Sequence, residues 1–183
     1  MKRIILITGD LATGKTTFSK ILSKRYSVEA YNKDTIKEIL GDTVGFKNRE
    51  ENLRLSHATV EIMTFLFKIY APYGHDLILE ANFHKKEVVT IEEIAKEYGY
   101  SVLTLNLVAD EKVLYERFRN RIQNENRHPV HQTAGLNTFD AFCEYIEKSR
   151  DDVELSDSMT VDATDFSYQT DSALLARLDE FME

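Results

Sequence analysis

The chain has 183 residues and a formal net charge of −8 at pH 7, because 31 Asp and Glu outnumber 23 Lys and Arg. A content of 43% hydrophobic and 30% charged residues is that of an ordinary globular protein and excludes a disordered one, and the length fits one domain spanning 1–183. The acidic balance argues against general nucleic-acid binding, and no apolar run is long enough to span a bilayer.

Strands and helices alternate along the sequence. In chain order the pattern predicts a strand at 2–8, a helix at 15–25, a strand at 28–31, helices at 33–40 and 50–70, a strand at 76–81, a helix at 84–98, a strand at 101–108, a helix at 110–122, a strand at 159–162 and a helix at 171–181. The helix at 33–40 is expected to stop at Gly41. This alternation is typical of an α/β fold with a mainly parallel sheet covered on both faces. Ligands of such sheets bind at the carboxyl ends of the strands.

The most informative segment lies between the first strand and the first helix. Gly9–Thr16, here called the glycine loop, reads G-x-x-x-x-G-K-T. Glycines let backbone N–H groups turn onto phosphate oxygens, and the following helix N-terminus adds partial positive charge. Lys15 is expected to reach the outer phosphates and Thr16 to ligate Mg²⁺. The residues expected to contact a nucleoside triphosphate are Gly9, Leu11, Ala12, Thr13, Gly14, Lys15, Thr16 and Thr17.

Two acidic residues follow predicted strands. Asp34 lies just beyond the second strand, where a carboxylate could accept a proton from an attacking hydroxyl. It could equally cap the helix that begins there, and the two roles could overlap. Glu80 ends the apolar third strand, a position that holds magnesium directly or through water in phosphate-loop proteins. Asn82 is a weaker candidate, because it could simply form a turn.

A basic segment stands out in this acidic chain. Arg117 and Arg121 are four residues apart on one predicted helix face, and 127–131 adds an arginine and two histidines. A solvated surface helix is the simple interpretation, but guanidinium groups after the fourth strand could also neutralise a transferring phosphoryl group. The spacing of His128 and His131, without a third ligand nearby, favours surface or phosphate contacts over zinc.

The single cysteine is Cys143, so no internal disulfide is possible. Its neighbours Phe142 and Tyr145 favour a partly buried helical position over a nucleophile. We expect a cytoplasmic protein, because a lone thiol fits a reducing compartment. The apolar run after Met1-Lys2-Arg3 is too short for a signal peptide and ends in the glycine loop.

With these motifs in place, the chain resembles the small P-loop kinases of the nucleoside monophosphate kinase-like group. Within that group it is similar to the ATP-dependent kinases related to chloramphenicol phosphotransferase, zeta toxin and the polynucleotide kinase 5′-domain. The resemblance implies a three-layer P-loop fold with five parallel strands in the order 2-3-1-4-5. It also implies that Asp34 is the general base.

The same resemblance implies a helical lid at about 114–135. In it, Arg117 would pack near the adenine and Arg121 would reach the phosphates, with catalytic Lys15. Thr164, after the fifth strand, matches the loop beside the adenine. The Asp-Gly-x-Pro-Arg motif of true nucleoside monophosphate kinases is absent from the sequence.

The sequence therefore predicts an ATP- and Mg²⁺-dependent kinase with a hydroxyl-bearing acceptor, without membrane attachment. The acceptor could be an antibiotic, a sugar, a nucleoside, a nucleic-acid 5′-end or another molecule, and a homodimer is possible. A GTPase is the first alternative, although Asn32-Lys33-Asp34-Thr35 does not spell N-K-x-D and the D-x-x-G at 42–45 follows no apolar strand. A non-catalytic nucleotide-binding regulator is the second.

Overall fold

A five-stranded parallel sheet forms the centre of the protein. The computed structural model describes residues 2–124, 127–131, 136–150 and 158–183. The strands are β1 (Lys2–Gly9), β2 (Glu29–Asn32), β3 (Leu77–Glu80), β4 (Tyr100–Val108) and β5 (Ser158–Asp162). Their order is β2-β3-β1-β4-β5 and every neighbouring pair is parallel, which confirms the predicted fold.

Helices cover both faces of this sheet. They are α1 (Lys15–Tyr26), α2 (Lys33–Thr43), α3 (Arg49–Tyr70), α4 (Lys85–Tyr98), α5 (Glu111–Asn124), α6 (Phe139–Arg150) and α7 (Ser172–Met182). Short 3₁₀ turns occur at Ala71–Tyr73, Pro129–His131 and Ser167–Thr170. Among the described residues, no helix has the combination of length and apolar character that crossing a membrane demands.

The alternation of side chains along β1 divides the core in two. Ile5 and Ile7 belong to one buried cluster, which α1, α5, α6 and α7 complete. Ile4 and Leu6 belong to a second cluster, which α3 and α4 complete. Because successive strand residues point to opposite faces, a fully apolar strand is buried on both sides. This packing fixes β1, and with it the glycine loop, in the middle of the sheet.

The register of the sheet brings three strand ends to one level. Glu80, the last residue of β3, lies opposite Ile7 of β1 and Asn32 of β2. The glycine loop leaves β1 two residues beyond Ile7, so Glu80 and Asn32 lie beside it. The polar residues that follow neighbouring strands therefore meet at one edge, as expected for a parallel sheet.

The prediction that the second helix stops at Gly41 is wrong. The helix α2 continues through Gly41 to Thr43. A Cβ at position 41 would collide with the side chain of Val130 in the 3₁₀ turn Pro129–His131. The glycine therefore permits close approach of that turn to α2, and it does not terminate the helix.

The helix α6 belongs to no predicted element, although the neighbours of Cys143 had indicated a helical position. Phe142 and Ile146 of this helix are fully buried in the first cluster, and Cys143 is half-buried. The predicted lid at 114–135 corresponds to α5 and the turn Pro129–His131, and its remaining residues, 125–126 and 132–135, lie outside the described part of the chain.

Candidate active site

The glycine loop has the backbone conformation that its glycines permit. Gly9 and Gly14 have φ angles of +118° and +90°, in the region that L side chains rarely adopt. A Cβ on Gly9 would collide with the backbone of Leu107 in β4, and Asp10 N–H donates to Leu107 O at 2.8 Å. The non-glycine residue Ala12 also has a positive φ of +68°. The loop is thus held against β4 in a strained, turned-in shape.

Lys15 folds back onto this loop. Its side-chain ammonium donates to the carbonyl oxygens of Gly9 at 3.0 Å and Asp10 at 2.6 Å, and the residue is only 8% exposed. Burial lowers the pKa of Lys15, while the negative charge of Glu80 opposes that effect. Arg121 and Asp34 also act on this pKa, so both charges lie near the ammonium.

Three polar side chains form a hydrogen-bonded chain beside Lys15. The Thr16 hydroxyl donates to Glu80 Oε2 at 3.0 Å, and Asn32 Nδ2 donates to Thr16 Oγ1 at 3.1 Å. Glu80 is 5% exposed, and burial raises its pKa to about 7 against the opposing charge of Lys15. The sequence did not assign a role to Asn32, although its position after β2 was the available signal.

This oxygen set fits magnesium better than a softer metal. Mg²⁺ is usually held by one or two protein oxygens, together with waters and substrate phosphates. Thr16 and Glu80 supply a hydroxyl and a carboxylate oxygen of that kind. Within the described residues no group of three His, Cys, Asp or Glu side chains is arranged to hold a metal by itself.

Asp34 lies in the first turn of α2 with its side chain 56% exposed. The interpretation of Asp34 as the N-cap is wrong, because Asn32 occupies that position and its Oδ1 accepts from Thr35 N–H at 2.9 Å. Asp34 instead lines a cavity of about 480 Å³. Its nearest described ionic neighbour is His131, with 3.8 Å between Oδ1 and Nδ1.

The cavity brings the predicted catalytic and metal residues together. Its walls come from the glycine loop, α2, α3, the end of β3, the start of α4, the end of α5, the turn Pro129–His131 and α6. The predicted catalytic and metal residues that line it are Lys15, Thr16, Asp34, Glu80 and Arg121. A volume of this size is within the usual range for small-ligand sites.

Arg117 and Thr164 lie outside the lining of this cavity, in a separate cluster. The Arg117 guanidinium donates to Ala163 O and Thr164 O, both at 2.7 Å, and lies 4.1 Å from the ring centroid of Phe166. Phe166 is 47% exposed and lies beside Gly14. The sequence did not single out this phenylalanine, because an aromatic residue in a loop carries no local pattern.

Side-chain contacts join His128 and the turn Pro129–His131 to α2. His128 Nε2 lies 2.9 Å from Asp42 Oδ1, and His131 Nε2 lies 2.7 Å from Glu38 Oε1. Lys37 Nζ donates to Val130 O at 3.2 Å. Each histidine therefore faces a carboxylate of α2, and His131, with its side chain 9% exposed, also lines the cavity. Among the described residues the two histidines form no metal-binding group.

An ion pair between the glycine loop and α6 was not predicted from the sequence. Asp10 is 1% exposed, and Arg150, the last residue of α6, donates to its Oδ2 at 2.7 Å. Arg150 also donates to Ala109 O at 3.0 Å and to Glu111 at 3.1 Å. The carboxylate of Asp10 raises the pKa of Arg150. Asp10 occupies a variable position of the motif, and its partner is 140 residues away.

Comparison with known proteins extends these findings. A family model described as an AAA domain matches residues 5–137. No curated protein matches the chain significantly.

Solved structures share the whole fold. A candidate kinase from Chloroflexus aurantiacus has 26% identity and a TM-score of 0.82, with 99% of this chain and 98% of that chain covered. A shikimate kinase from Bacteroides thetaiotaomicron has 20% identity and a TM-score of 0.64, with 98% of both chains covered. A gluconokinase from Sinorhizobium meliloti has 13% identity and a TM-score of 0.60, with 98% and 94% covered. Because the shikimate kinase and the gluconokinase are no more than 20% identical to this chain, their similarity shows the fold alone.

Proposed function

We propose that this chain, which belongs to the AAA domain family, is an ATP-dependent kinase. It would transfer the γ-phosphoryl group of ATP to a hydroxyl of a small acceptor. The observation that carries this proposal is the convergence of Lys15, the Thr16–Glu80 pair and Asp34 on one cavity. Kinases share the fold. A reducing cytoplasm suits the free thiol and is the proposed location.

In this proposal the glycine loop is a Walker A motif that cradles the phosphates of ATP. The Lys15 ammonium, now bound to Gly9 O and Asp10 O, would exchange those carbonyls for the outer phosphate oxygens. Phosphate charge would restore the pKa that burial lowers. The exposed ring of Phe166, backed by the Arg117 guanidinium, offers a flat surface for the adenine beside Thr164.

Thr16 and Glu80 are the residues that would hold Mg²⁺. The bound ion would supply neutralisation of charge on the β- and γ-phosphate oxygens. Glu80 has to be ionised for this, and its pKa of about 7 means that binding at neutral pH releases protons from part of the population. The hydrogen bond from Asn32 to Thr16 orients the hydroxyl.

Asp34 is proposed as the general base. Asp34 lines the cavity and is not the cap of α2, so its carboxylate can accept the proton of the acceptor hydroxyl. Arg121 lines the same cavity and acts electrostatically on Lys15, so its guanidinium is in place to offset charge on the transferring phosphoryl group.

A nucleotide titration tests this function. Calorimetry with Mg·ATP and Mg·GTP should give binding heat with ATP preferred, followed by label transfer from γ-labelled ATP to a compound in a library of hydroxyl-bearing metabolites. Absence of heat and of thermal stabilisation for both nucleotides would overturn the proposal. Binding of ATP without transfer to any compound or to water would favour the non-catalytic regulator.

The GTPase alternative receives less support. Asp42 of the D-x-x-G sequence lies near the end of α2 and contacts His128. Asn32 of the displaced N-K-x-D sequence caps α2 and binds Thr16. Both residues are therefore engaged in contacts other than those of a GTPase motif.

A further inference from the structure

The cavity has a charge opposite to that of the whole chain. The chain carries a net charge of −8. Yet six Lys and Arg side chains line the cavity against three Asp and Glu side chains: Lys15, Lys33, Lys37, Arg121, Arg127 and Lys148 against Asp34, Glu80 and Glu87. Such local reversal of sign indicates a site for an anion.

Several of these charges already have partners. Lys15 and Arg121 lie at the phosphate end of the cavity, which is the end beside the glycine loop, and Glu80 binds Thr16. The Glu87 carboxylate accepts from His84 N–H at 2.8 Å as part of the cap of α4. Lys148 is exposed and pairs with Glu144 at 2.6 Å. Lys37 donates to the carbonyl oxygen of Val130 at 3.2 Å, which leaves its charge uncompensated. Among the described residues, Lys33, Lys37 and Arg127 are therefore the cations of the lining away from the phosphate end that form no ion pair with a carboxylate.

Lys33 and Lys37 are the informative pair. They are four residues apart on α2, so their side chains share one face, and like charges at this spacing are destabilising. Lys37 is half-buried, and burial, followed by the charge of Lys33, lowers the pKa of Lys37 against the smaller opposing effect of the Asp34 charge. Among the described residues, neither lysine forms an ion pair with a carboxylate. A repelling, partly desolvated pair that faces a cavity is what a bound anion would stabilise.

The remaining wall suits a hydroxyl compound of limited size. Ser56 and His57 of α3, Asn82 after β3 and Tyr145 of α6 supply polar side chains to the lining of the cavity. The volume of about 480 Å³ has to hold the phosphate tail of the nucleotide as well. A small molecule fits this space, whereas a nucleic-acid strand would meet an acidic protein surface.

We propose that the acceptor is a small hydroxyl compound that carries its own carboxylate or phosphate, which binds to Lys33 and Lys37. The inference rests on the proposed kinase function and specifies its acceptor. Since Asp34 follows Lys33 directly and lines the same cavity, anchoring the anionic group at the lysines places a hydroxyl of the acceptor near the carboxylate.

The first test separates the anion subsite from the nucleotide site. The protein is saturated with Mg·AMPPNP, and potassium phosphate or potassium acetate is added at an ionic strength balanced with potassium chloride. At concentrations several-fold above its Kd, at least one of the two anions should raise the melting temperature by about 2–4 °C. Phosphate acting alone indicates a phosphorylated acceptor, and acetate acting alone indicates a carboxylate.

Matched variants locate the effect. The double variant Lys33→Gln/Lys37→Gln should lose the anion shift. The control Lys24→Gln/Lys68→Gln, at exposed positions on α1 and α3 outside the cavity, should keep it. A shift that persists in the first variant, or no shift with either anion in the wild type, overturns the inference. Failure of AMPPNP itself to raise the melting temperature would instead contradict the proposed kinase function.

A second measurement does not depend on the folding of any variant. Wild-type protein with bound Mg·AMPPNP is acetylated with acetic anhydride, and the modification of each lysine is followed by mass spectrometry. The stabilising anion should slow acetylation of Lys33 and Lys37 at least ~3-fold relative to Lys24 and Lys68, because an occupied ion pair withholds the amine. Equal slowing of all four lysines would contradict the inference.

Discussion

The two ends of the cavity are built differently. At the phosphate end the backbone itself shapes the site, with Gly9 and Gly14 at positive φ and Lys15 bound to main-chain carbonyls. At the end where the acceptor is proposed to bind, carboxylates of α2 contact His128 and His131, and these contacts are partly exposed. The first end is shaped by residues close together in the sequence, and the second depends on contacts between segments far apart in the sequence. Substitutions should therefore act differently at the two ends.

The largest effect is expected at the phosphate end. Lys15→Ala should reduce turnover by at least ~10³-fold, because the removed ammonium is the cation closest to the glycine-loop carbonyls and no other side chain can replace it there. The measurement is single-turnover transfer from γ-labelled ATP. Lys24→Ala, on the exposed surface of α1, is the control and should turn over at the wild-type rate. Comparable activity of the two variants would contradict the role of Lys15.

A large but separable effect is expected at the acceptor end. Asp34→Asn should lower kcat by at least ~10²-fold while the calorimetric affinity for Mg·ATP stays within about threefold, because the amide cannot accept the proton but preserves the shape. Asp140→Asn is the matched control, since Asp140 is also exposed in the first turn of a helix, α6. If Asp34→Asn phosphorylated the acceptor normally, the base would lie elsewhere.

The buried carboxylate of Glu80 predicts an effect of pH on the free energy of unfolding. Its folded pKa of about 7 is above the unfolded value of 4.5, so the protonated form favours folding. This stability is present below the unfolded pKa and is lost as pH rises through about 7, by an amount on the order of 2–3 kcal/mol. Urea unfolding of nucleotide-free protein should show Glu80→Gln gaining stability relative to wild type between pH 5 and 8. A constant difference across that range would refute the raised pKa.

The smallest effect of the four is expected behind the glycine loop. Arg150→Ala leaves the buried Asp10 carboxylate without its ion pair and should cost about 1–3 kcal/mol of unfolding free energy, less than a fully buried pair because the Arg150 side chain is 37% exposed. Adding Asp10→Asn should recover part of the loss in a double-mutant cycle. Arg177→Ala, which breaks an exposed pair with Glu180, is the control and should have a smaller effect. Equal losses in the two arginine variants would show that the burial of Asp10 does not matter.

The features that could be predicted from the sequence are those with a short-range signature. The apolar run of β1 and the spacing of Gly9–Thr16 were sufficient to predict the first strand and the glycine loop. The strand order was expected from the resemblance to small P-loop kinases, and the structure contains it. The positions of Asp34 just beyond β2 and of Glu80 at the end of β3 predicted that the two residues lie close together, because parallel strands end at the same edge of a sheet. Both residues line one cavity in the structure.

The features that escaped prediction depend on distant partners. Arg150 gains its importance from Asp10, and neither residue has a pattern that indicates the other. A glycine such as Gly41 commonly marks the end of a helix. Here a glycine is needed because a side chain at this position would collide with Val130, 89 positions later in the chain. Helix α6 follows a segment without strong periodicity, and its Phe142 and Ile146 are recognisable as core residues only once the first cluster has assembled.

One aromatic side chain has a consequence for which nucleotides fit. The Tyr168 hydroxyl donates to Thr13 O at 3.0 Å, and its ring packs edge-on against Phe18 at 5.1 Å. These contacts hold the segment that carries Phe166 against the glycine loop, and they restrict the distance between the Phe166 ring and the loop. If the proposed nucleotide site is correct, the distance between this ring and the loop limits the length of the sugar–phosphate part of any ligand that contacts both.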